Sequence, residues 1–212
     1  MMIRHWRDIP EQPLLLVGDC QLWQTWLDEE DPDPFRGLLS EDERVRAGRL
    51  RGPHGADRFT VGRGILRSIL GRYLSRRPEE LFFAYGANGK PALAGNWQER
   101  LSFNVSHAGS LEIFVIANGF EVGVDVEEIR PISDLEATAS IIMSEAELAE
   151  FKRLPASMKL DRFFTMWTCK EAILKALGSG FSGPAKNILA MFHKPVTLFE
   201  PAEGFKGALA YL

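Results

Sequence analysis

The feature that most constrains the fold of this chain is an internal repeat with a nearly constant offset. Ser40-Glu41-Asp42-Glu43 reappears 104 positions later as Ser144-Glu145-Ala146-Glu147. The same offset relates three further pairs: Arg49-Leu50 with Arg153-Leu154, Asp57-Arg58-Phe59 with Asp161-Arg162-Phe163, and Lys90-Pro91 with Lys194-Pro195. An offset near half of the 212 residues indicates two related subdomains in one chain. We expect them to span 1–102 and 103–212.

The local patterns predict an α+β fold in which each half contributes helices followed by strands. Ser40 with Glu43, and later Ser144, are expected N-caps of two helices. Longer helices are predicted over 57–74, weakened by Gly62 and Gly64, and over 161–177, ended by Gly178. Within these two helices the offset of the repeat increases from 104 to 108 residues, since Ile65 corresponds to Ile173. One helical turn would thus be inserted in the second copy. Strands are predicted at 81–85, 101–105, 111–117 and 122–126, the last two as a hairpin, with short strands in 186–212.

Composition places the chain among ordinary globular proteins, with 45% apolar and 25% charged residues. No apolar run approaches the length of a membrane span, and residues 1–8 lack the apolar stretch of a signal peptide. We therefore expect no membrane association. Cys20 and Cys169 form no metal-spaced or redox-spaced pair, so the expected location is a reducing cytoplasm.

Charge is distributed unevenly along the chain, although the net charge is only −4. Residues 40–77 hold ten arginines and four acids, whereas residues 125–150 hold eight acids and one arginine. A basic and an acidic stretch suit a polyanionic ligand and a metal ion, and the alternative is two solvated helix faces. The basic stretch lacks the interleaved aromatic residues of a stacking platform, so nucleic-acid binding is not expected.

Residues 122–127 alternate apolar and acidic side chains, as a strand with two different faces does. Asp125 and Glu127 leave one face about 6–7 Å apart, while Val124 and Val126 bury the other. Neighbouring carboxylates repel each other there unless a cation or a proton relieves them. Together with Glu171 they would supply three oxygen ligands for Mg²⁺. The alternative is an exposed strand face.

Residues 167–175 are predicted to place a third acid and two cations on one helix. Trp167, Glu171 and Lys175 recur every four residues and therefore share a helix face. Lys170 and Lys175 flank the carboxylate, and a metal ion surrounded by cations is typical of phosphate ester chemistry. The alternative is a surface Glu–Lys pair of small energetic effect.

Other polar residues are candidates for phosphate binding. Ser106 and His107 stand at the end of a predicted strand, where a hydroxyl and an imidazole can meet a phosphate. A turn lysine and two arginines of the basic stretch complete this set: Lys90, Arg46 and Arg58. Taken singly, the histidine is equally a structural hydrogen-bonding residue, and the lysine and arginines are equally solvated side chains.

Four motifs carry a family resemblance through their order along the chain. They are Gly-Lys-Pro at 89–91, Phe-Asn-Val-Ser-His at 103–107, Gly-Val-Asp-Val-Glu at 123–127 and Trp-Thr-Cys-Lys-Glu-Ala-Ile-Leu-Lys at 167–175. Together they closely resemble the 4′-phosphopantetheinyl transferases of the surfactin-synthetase-activating type, over residues 40–181. The resemblance implies two similar α+β halves related by pseudo-two-fold symmetry. It also implies transfer of the phosphopantetheine arm of coenzyme A to a serine of an apo carrier protein, with release of adenosine 3′,5′-bisphosphate.

The resemblance further implies a role for each candidate residue. Mg²⁺ would be held against the coenzyme A pyrophosphate by Asp125, Glu127 and Glu171. The pyrophosphate would be bound by His107 and Lys175, and Lys170 and Lys175 would offset charge on the departing bisphosphate. The 3′-phosphate and adenosine would be held by Arg46, Arg58, Lys90 and Ser106. The expected catalytic residues are Glu171, Lys175 and His107, with Glu171 or a metal-held water as the base.

Two other functions stay open on the sequence. One is a non-catalytic homologue that binds coenzyme A or a carrier protein, and the other is a metal-dependent nucleotide phosphohydrolase. For the transferase, the possible acceptors are acyl and peptidyl carrier proteins of fatty-acid, polyketide or nonribosomal-peptide biosynthesis. Phe163, Phe164 and Met166 are candidates for carrier contact, with core packing as the alternative. Two halves joined in one chain make a monomer the simpler expectation.

Overall fold

The computed structural model describes residues 2–52, 54–86, 88–95, 101–178, 185–191 and 195–212. The predicted features at Phe181 and Lys194 lie outside these residues. The strands are β1 (Ile3–His5), β2 (Cys20–Trp26), β3 (Phe83–Tyr85), β4 (Pro91–Leu93), β5 (Leu101–Ala108), β6 (Leu111–Asn118), β7 (Val122–Glu128), β8 (Val196–Phe199) and β9 (Phe205–Tyr211). The helices are α1 (Asp33–Arg36), α2 (Glu41–Arg49), α3 (Gly55–Leu74), α4 (Leu135–Ile142), α5 (Glu145–Arg153), α6 (Ala156–Leu177) and α7 (Ile188–Met191).

The two halves of the chain form sheets that share a strand order. The first sheet runs β1-β2-β6-β5, with β1 parallel to β2 and the other neighbours antiparallel. The second runs β7-β9-β8, and both of its pairs are antiparallel. In β2-β6-β5 and in β7-β9-β8, the last strand of the unit lies between the other two. The predicted α+β fold with two similar halves is confirmed.

The helices repeat in the same way. α2 and α5 have nine residues each and follow N-cap serines that are 104 positions apart. In each, the carboxylate of the third helical residue accepts a hydrogen bond from the N-cap backbone N–H, Glu43 at 3.0 Å and Glu147 at 2.8 Å. α3 has 20 residues and α6 has 22, so the second copy is longer by about half a turn, not by a full one. Gly178 ends α6 in the left-handed conformation, as predicted.

Two predictions about the middle of the chain are wrong. β6 forms its hairpin with β5, and β7 pairs with β9 in the other sheet. The apolar alternation of β7 instead reflects face-to-face packing of the two sheets, because one core cluster contains Val122, Val124 and Val126 with Leu111, Ile113 and Val115. The predicted boundary between 102 and 103 falls inside β5. Since β5 and β6 pair with β2, the first half extends to Asn118.

Several element bounds also differ from the prediction. The strand predicted over 101–105 continues to Ala108, so Ser106 and His107 lie within β5. The strand predicted over 81–85 is shortened to β3. Residues 185–191 are helical where strands were expected, because a short apolar stretch fits either structure. β1, β2 and α4 were not predicted.

Side chains connect β5 of the first sheet to β7 of the second. Asn104 Oδ1 accepts a hydrogen bond from the Val124 backbone N–H at 3.0 Å. Ser106 Oγ accepts one from the Val126 backbone N–H at 3.2 Å. Residues two apart on a strand project to the same side, which explains why the Asn-x-Ser spacing can bridge two successive positions of β7. We call these two contacts the seam.

Gly123 lets α6 pack directly on β7. A Cβ at this position would overlap the backbone carbonyl oxygen of Ala172 and the backbone nitrogen of Ala176. Both are helix backbone atoms, so neither can rotate away. The glycine that precedes the acidic residues of β7 therefore allows the close approach that brings Glu171 toward Asp125.

Gly123→Ala is expected to destabilise the protein by about 3 kcal/mol, the upper end of the overpacking range, because the added methyl group meets backbone. Urea unfolding followed by circular dichroism measures this change. Gly48→Ala is the matched control, since a Cβ at Gly48 in α2 meets nothing within 4 Å. The control should be neutral or slightly stabilising. Equal midpoints for the two variants would contradict the packing assigned to Gly123.

The core is divided among the sheets and the long helices. α3 packs on the first sheet through residues such as Ile65, Ile69 and Phe114, which are fully buried. Phe163, Phe164 and Met166 are buried with α4 and α5, so core packing is the correct interpretation of these three residues. Among the described residues, no helix combines the length and the apolar character of a membrane span.

Candidate active site

The predicted acidic residues and the long helix meet at one cavity. It has a volume of about 350 Å³ and is lined by Asp125 and Glu127 of β7, by Trp167, Glu171 and Lys175 of α6, and by Ser106, His107 and Glu112 of the first sheet. We call it the acidic cavity. The shared face predicted for Trp167, Glu171 and Lys175 is present, because all three side chains reach this space.

Asp125 lies at the buried end of the acidic cavity and is only 3% exposed. Its Oδ1 accepts hydrogen bonds from Lys175 Nζ at 2.7 Å and from Ser106 Oγ at 3.0 Å. Its Oδ2 is buried and has no hydrogen-bond partner within the described part of the chain. Burial raises the pKa of this carboxyl, although Lys175 acts in the opposite direction. A buried carboxylate oxygen without a partner is a position where a cation would be stabilised.

Glu127 is held by Trp167, for which the sequence analysis predicted only a place on the shared helix face. Trp167 Nε1 donates a hydrogen bond to Glu127 Oε1 at 2.7 Å. Burial, followed by repulsion from Asp125, raises the pKa of Glu127. Trp167 therefore orients the second carboxylate in addition to covering the helix face. The four-residue spacing from Trp167 to Glu171 was the only sequence signal for this role.

Glu171 faces the two β7 carboxylates from the helix. Burial raises its pKa, and repulsion from Asp125 and then from Glu127 adds to this, while Lys175 lowers it. Besides burial, the negative charge of Asp125 raises the pKa of both Glu127 and Glu171. A hard divalent cation would relieve this repulsion, and oxygen donors are the ligands that such cations prefer. Among the described residues, no three His, Cys, Asp or Glu side chains form a closed metal-binding group.

Neighbouring groups occupy all the hydrogen-bonding positions of the Ser106 hydroxyl group. It accepts hydrogen bonds from the Val126 backbone N–H at 3.2 Å and from Lys175 Nζ at 2.8 Å. A serine hydroxyl has two acceptor positions and one proton, so its proton is left for Asp125 Oδ1. The predicted contact of Ser106 with a 3′-phosphate is not supported, because its hydroxyl group is already hydrogen-bonded to Val126, Lys175 and Asp125.

Lys170 does not reach the site, which corrects its predicted role in cofactor binding. Its side chain is buried, and Nζ donates to Glu147 Oε2 at 2.7 Å and to the carbonyl oxygens of Ile142 and Lys186. Arg67 plays the corresponding part in the first half, since it is buried and Nε donates to Glu43 Oε2 at 2.8 Å. Each long helix thus holds the capping-box glutamate of the preceding short helix through a buried cation. Glu43, in a stretch rich in arginine, has this structural role.

A second and larger cavity lies beside the acidic one. It has a volume of about 460 Å³, and its lining includes Arg46, Arg58, Phe59, Arg63, His107 and Glu112. We call it the arginine cavity. The Arg46 guanidinium lies over the Phe59 ring at 5.2 Å. Arg58 is oriented by Asp28, to which it donates at 2.6 and 2.5 Å. These contacts hold two of the predicted phosphate-binding arginines in place.

His107 belongs to both cavities, as its predicted contact with a phosphate chain requires. Its side chain is exposed, in contrast to the buried Ser106 beside it. Opposite directions are expected for neighbouring residues of one strand. The strand pattern therefore separates the functions of these two residues, which the sequence analysis grouped together.

Lys90 is not among the residues that line the arginine cavity, and its contact with the 3′-phosphate stays a prediction. Its Nζ donates to Glu121 Oε2 at 2.9 Å and to the carbonyl oxygens of Val122 and Ala176. These hydrogen bonds connect the β3–β4 hairpin to the second half of the chain. Gly89 and Pro91, the neighbours of Lys90 in the chain, form part of the wall of the arginine cavity.

Arg63 and Glu112 are cavity residues that the sequence analysis missed. Arg63 Nε lies 3.5 Å from Glu43 Oε1, and its guanidinium packs over the rings of Phe59 and Phe83. Arg63 was counted only as one member of the basic stretch, and Glu112 interrupts an otherwise apolar strand. That interruption was the available signal, because a charged residue in a buried strand needs an explanation.

Comparison with known proteins agrees with this arrangement. The family model "4'-phosphopantetheinyl transferase superfamily" matches residues 121–200, which include β7 and α6. The 4'-phosphopantetheinyl transferase HetI of Nostoc sp. is 40% identical, over 85% of this chain and 78% of its own length. The L-aminoadipate-semialdehyde dehydrogenase-phosphopantetheinyl transferase of Schizosaccharomyces pombe is 31% identical, over 84% of this chain and 73% of its own.

A third relative is shorter in its match but similar in kind. The 4'-phosphopantetheinyl transferase AcpT of Salmonella typhimurium is 33% identical over 68% of this chain and 74% of its own length. These alignments extend well beyond the acidic motifs, and the relatives carry the name of a single transferase activity. The chain therefore belongs to the 4′-phosphopantetheinyl transferase superfamily of enzymes.

Proposed function

We propose that this protein transfers the 4′-phosphopantetheine group of coenzyme A to a serine of an apo acyl or peptidyl carrier protein, in the manner of the surfactin-synthetase-activating type. The observation that carries the proposal is the pair of adjoining cavities, one cationic and one acidic, which share His107. The nucleotide end of coenzyme A would lie in the cationic cavity, and its diphosphate would extend past His107 into the acidic cavity. Two similar halves in one chain complete the site, which favours a monomer.

The arginine cavity would bind the nucleotide end of coenzyme A. Arg46 and Arg58 would pair with the 3′-phosphate, and Asp28 keeps the Arg58 guanidinium aimed into the cavity. His107 would contact the pyrophosphate where it passes from one cavity to the other. Lys175, half-buried beside Asp125, would meet the same pyrophosphate from the helix side.

The acidic cavity would hold Mg²⁺ through Asp125, Glu127 and Glu171. The unpartnered Asp125 Oδ2 and the mutual repulsion of the three carboxylates support this fit. When bound, the ion supplies positive charge that offsets the charge of the pyrophosphate. Trp167 fixes the orientation of Glu127, so this ligand is held in place before a cation binds.

The transfer step forms a bond between the carrier serine oxygen and the pyrophosphate phosphorus nearer to pantetheine. The bond from that phosphorus to the bridging oxygen breaks, and adenosine 3′,5′-bisphosphate departs with the electron pair. The serine proton would pass to the Glu171 carboxylate, the candidate base on the helix side of the acidic cavity. Lys175 would offset the charge that develops on the departing group.

Mass spectrometry of a panel of apo carrier proteins tests the proposal. Incubation with the protein, coenzyme A and Mg²⁺ should add one phosphopantetheine group to the carrier serine, and excess chelator should prevent the addition. A serine-to-alanine carrier is the control. Release of adenosine 3′,5′-bisphosphate without an acceptor would indicate a phosphohydrolase. Coenzyme A binding without turnover on acyl and peptidyl carriers would indicate a non-catalytic protein.

A further inference from the structure

Glu112 occupies the place where the two cavities meet. It lines both the arginine cavity and the acidic cavity, as His107 does. His107 of β5 and Glu112 of β6 are direct partners in an antiparallel pair. Their side chains therefore leave the same face of the sheet, with Cβ atoms about 5 Å apart. Any ligand that extends from one cavity into the other passes both residues.

The Glu112 carboxyl is buried, and its Oε2 has no hydrogen-bond partner among the residues that the structure describes. The residue is 9% exposed. Space for the carboxyl depends on Gly62 of α3, where a Cβ would overlap both carboxyl oxygens. Arg63 Nη1, also on α3, is a second buried atom of the arginine cavity without a hydrogen bond. An unpartnered carboxyl and an unpartnered guanidinium nitrogen in one cavity point to a ligand that binds both.

The surroundings determine the charge of this carboxyl. Burial raises the pKa of Glu112 to about 8, and the positive charge of Arg63 lowers it only in part. The other charged or titratable groups that line the arginine cavity are His107 from β5, Arg46 from α2 and Arg58 from α3, the last paired with Asp28. Those of the acidic cavity, which Glu112 also lines, are Asp125 and Glu127 from β7 and Glu171 and Lys175 from α6. Across the sheet, the β2 partner of Glu112 is the uncharged Thr25. Near neutral pH the carboxyl therefore carries a proton, and a protonated carboxyl can donate a hydrogen bond.

We propose that Glu112 and Arg63 together bind a phosphate group of coenzyme A at the junction of the two cavities, the carboxyl as a neutral hydrogen-bond donor and the guanidinium as the ionic partner. This inference rests on the proposed function, because it takes coenzyme A as the ligand. Ionised Glu112 would repel the phosphate. Affinity should therefore be highest below the pKa of this carboxyl and should fall as the pH rises above it.

Calorimetric binding of coenzyme A in the presence of Mg²⁺, at pH 7 and pH 9, tests the proposal with wild type and Glu112→Gln. The glutamine keeps a neutral donor at every pH. The ratio of the wild-type to the Glu112→Gln dissociation constant should rise about tenfold between pH 7 and pH 9, since one pH unit above the pKa leaves about a tenth of the acid protonated. Glu79→Gln, at an exposed position that lines neither cavity, is the control, and its ratio should stay constant.

A constant ratio for Glu112→Gln would overturn the phosphate-binding role while leaving the proposed function intact. Absence of coenzyme A binding by the wild type at pH 7 would overturn both. Wild type alone supplies a second measurement, should the variant fail to fold. At pH 8.5, calorimetry in two buffers of different ionisation enthalpy should show uptake of more than about half a proton per coenzyme A bound. Uptake of no proton would likewise exclude the role.

Discussion

Glu171→Gln is expected to lower the rate of phosphopantetheine transfer by at least about a hundredfold, with little change in stability. The amide keeps the size of the side chain but removes the negative charge proposed to bind a cation and the carboxylate proposed to accept the serine proton. Burial and repulsion from Asp125 raise the pKa of Glu171 in the folded protein, so loss of its charge relieves an unfavourable interaction. Initial rates with an apo carrier protein, together with the thermal midpoint, measure the two effects.

Glu150→Gln is the matched control for this substitution. Glu150 lies on α5, is exposed and does not line either cavity. Asp125→Asn should behave like Glu171→Gln, because it removes a charge from the same cavity. Transfer by Glu171→Gln at the rate of the Glu150→Gln control would refute the role of the acidic cavity in the reaction.

Replacement of Lys170 and Lys175, the two lysines of the motif at 167–175, by methionine is expected to have different effects. Lys170→Met should destabilise the protein by about 3 kcal/mol, because it removes one partner of a buried ion pair and leaves the Ile142 and Lys186 carbonyl oxygens without a donor. Lys175→Met should lower transfer by at least about a hundredfold, since it removes the cation beside Asp125. Its effect on stability should be smaller, because Asp125 can be protonated when its partner is lost.

Unfolding in urea and transfer rate per folded molecule separate the two predictions. Arg67→Met serves as the structural comparison, because Arg67 holds Glu43 as Lys170 holds Glu147. It should destabilise the protein without changing the rate of the folded fraction. A Lys170→Met protein that is stable but inactive would restore Lys170 to the set of cofactor-binding residues.

The repeat and the local patterns predicted the fold class, whereas the acidic motifs and the family resemblance predicted the convergence of β7 with α6. The predictions of helices succeeded because nearby residues determine capping boxes and helix ends. The 104-residue repeat also presents these patterns twice in the chain. The pairing of β6 with β5 could not be read in the same way. An alternating strand must bury one face, but alternation does not say whether an edge partner or a facing sheet covers it.

The sequence predicted the site residues as a group, but not the direction in which each side chain points. Lys170 and Lys175 look equivalent as flanking cations, yet five positions on a helix turn the two side chains about 140° apart, toward different surroundings. Ser106 and His107 are neighbours in sequence and lie on opposite faces of β5. Glu112 required tertiary information, because its environment is formed by α3 and by the cavity beyond His107.

The seam allows an assembly that two separate copies could not achieve. A pair of identical subunits must present every side chain twice, once on each side of the symmetry axis. Here the two copies are covalently tethered, so their association occurs within one molecule and does not depend on protein concentration. Each half can therefore carry different side chains: Arg46, Arg58 and Arg63 come from the first, and Asp125, Glu127 and Glu171 from the second. An asymmetric ligand would thus meet an asymmetric site formed by two similar halves.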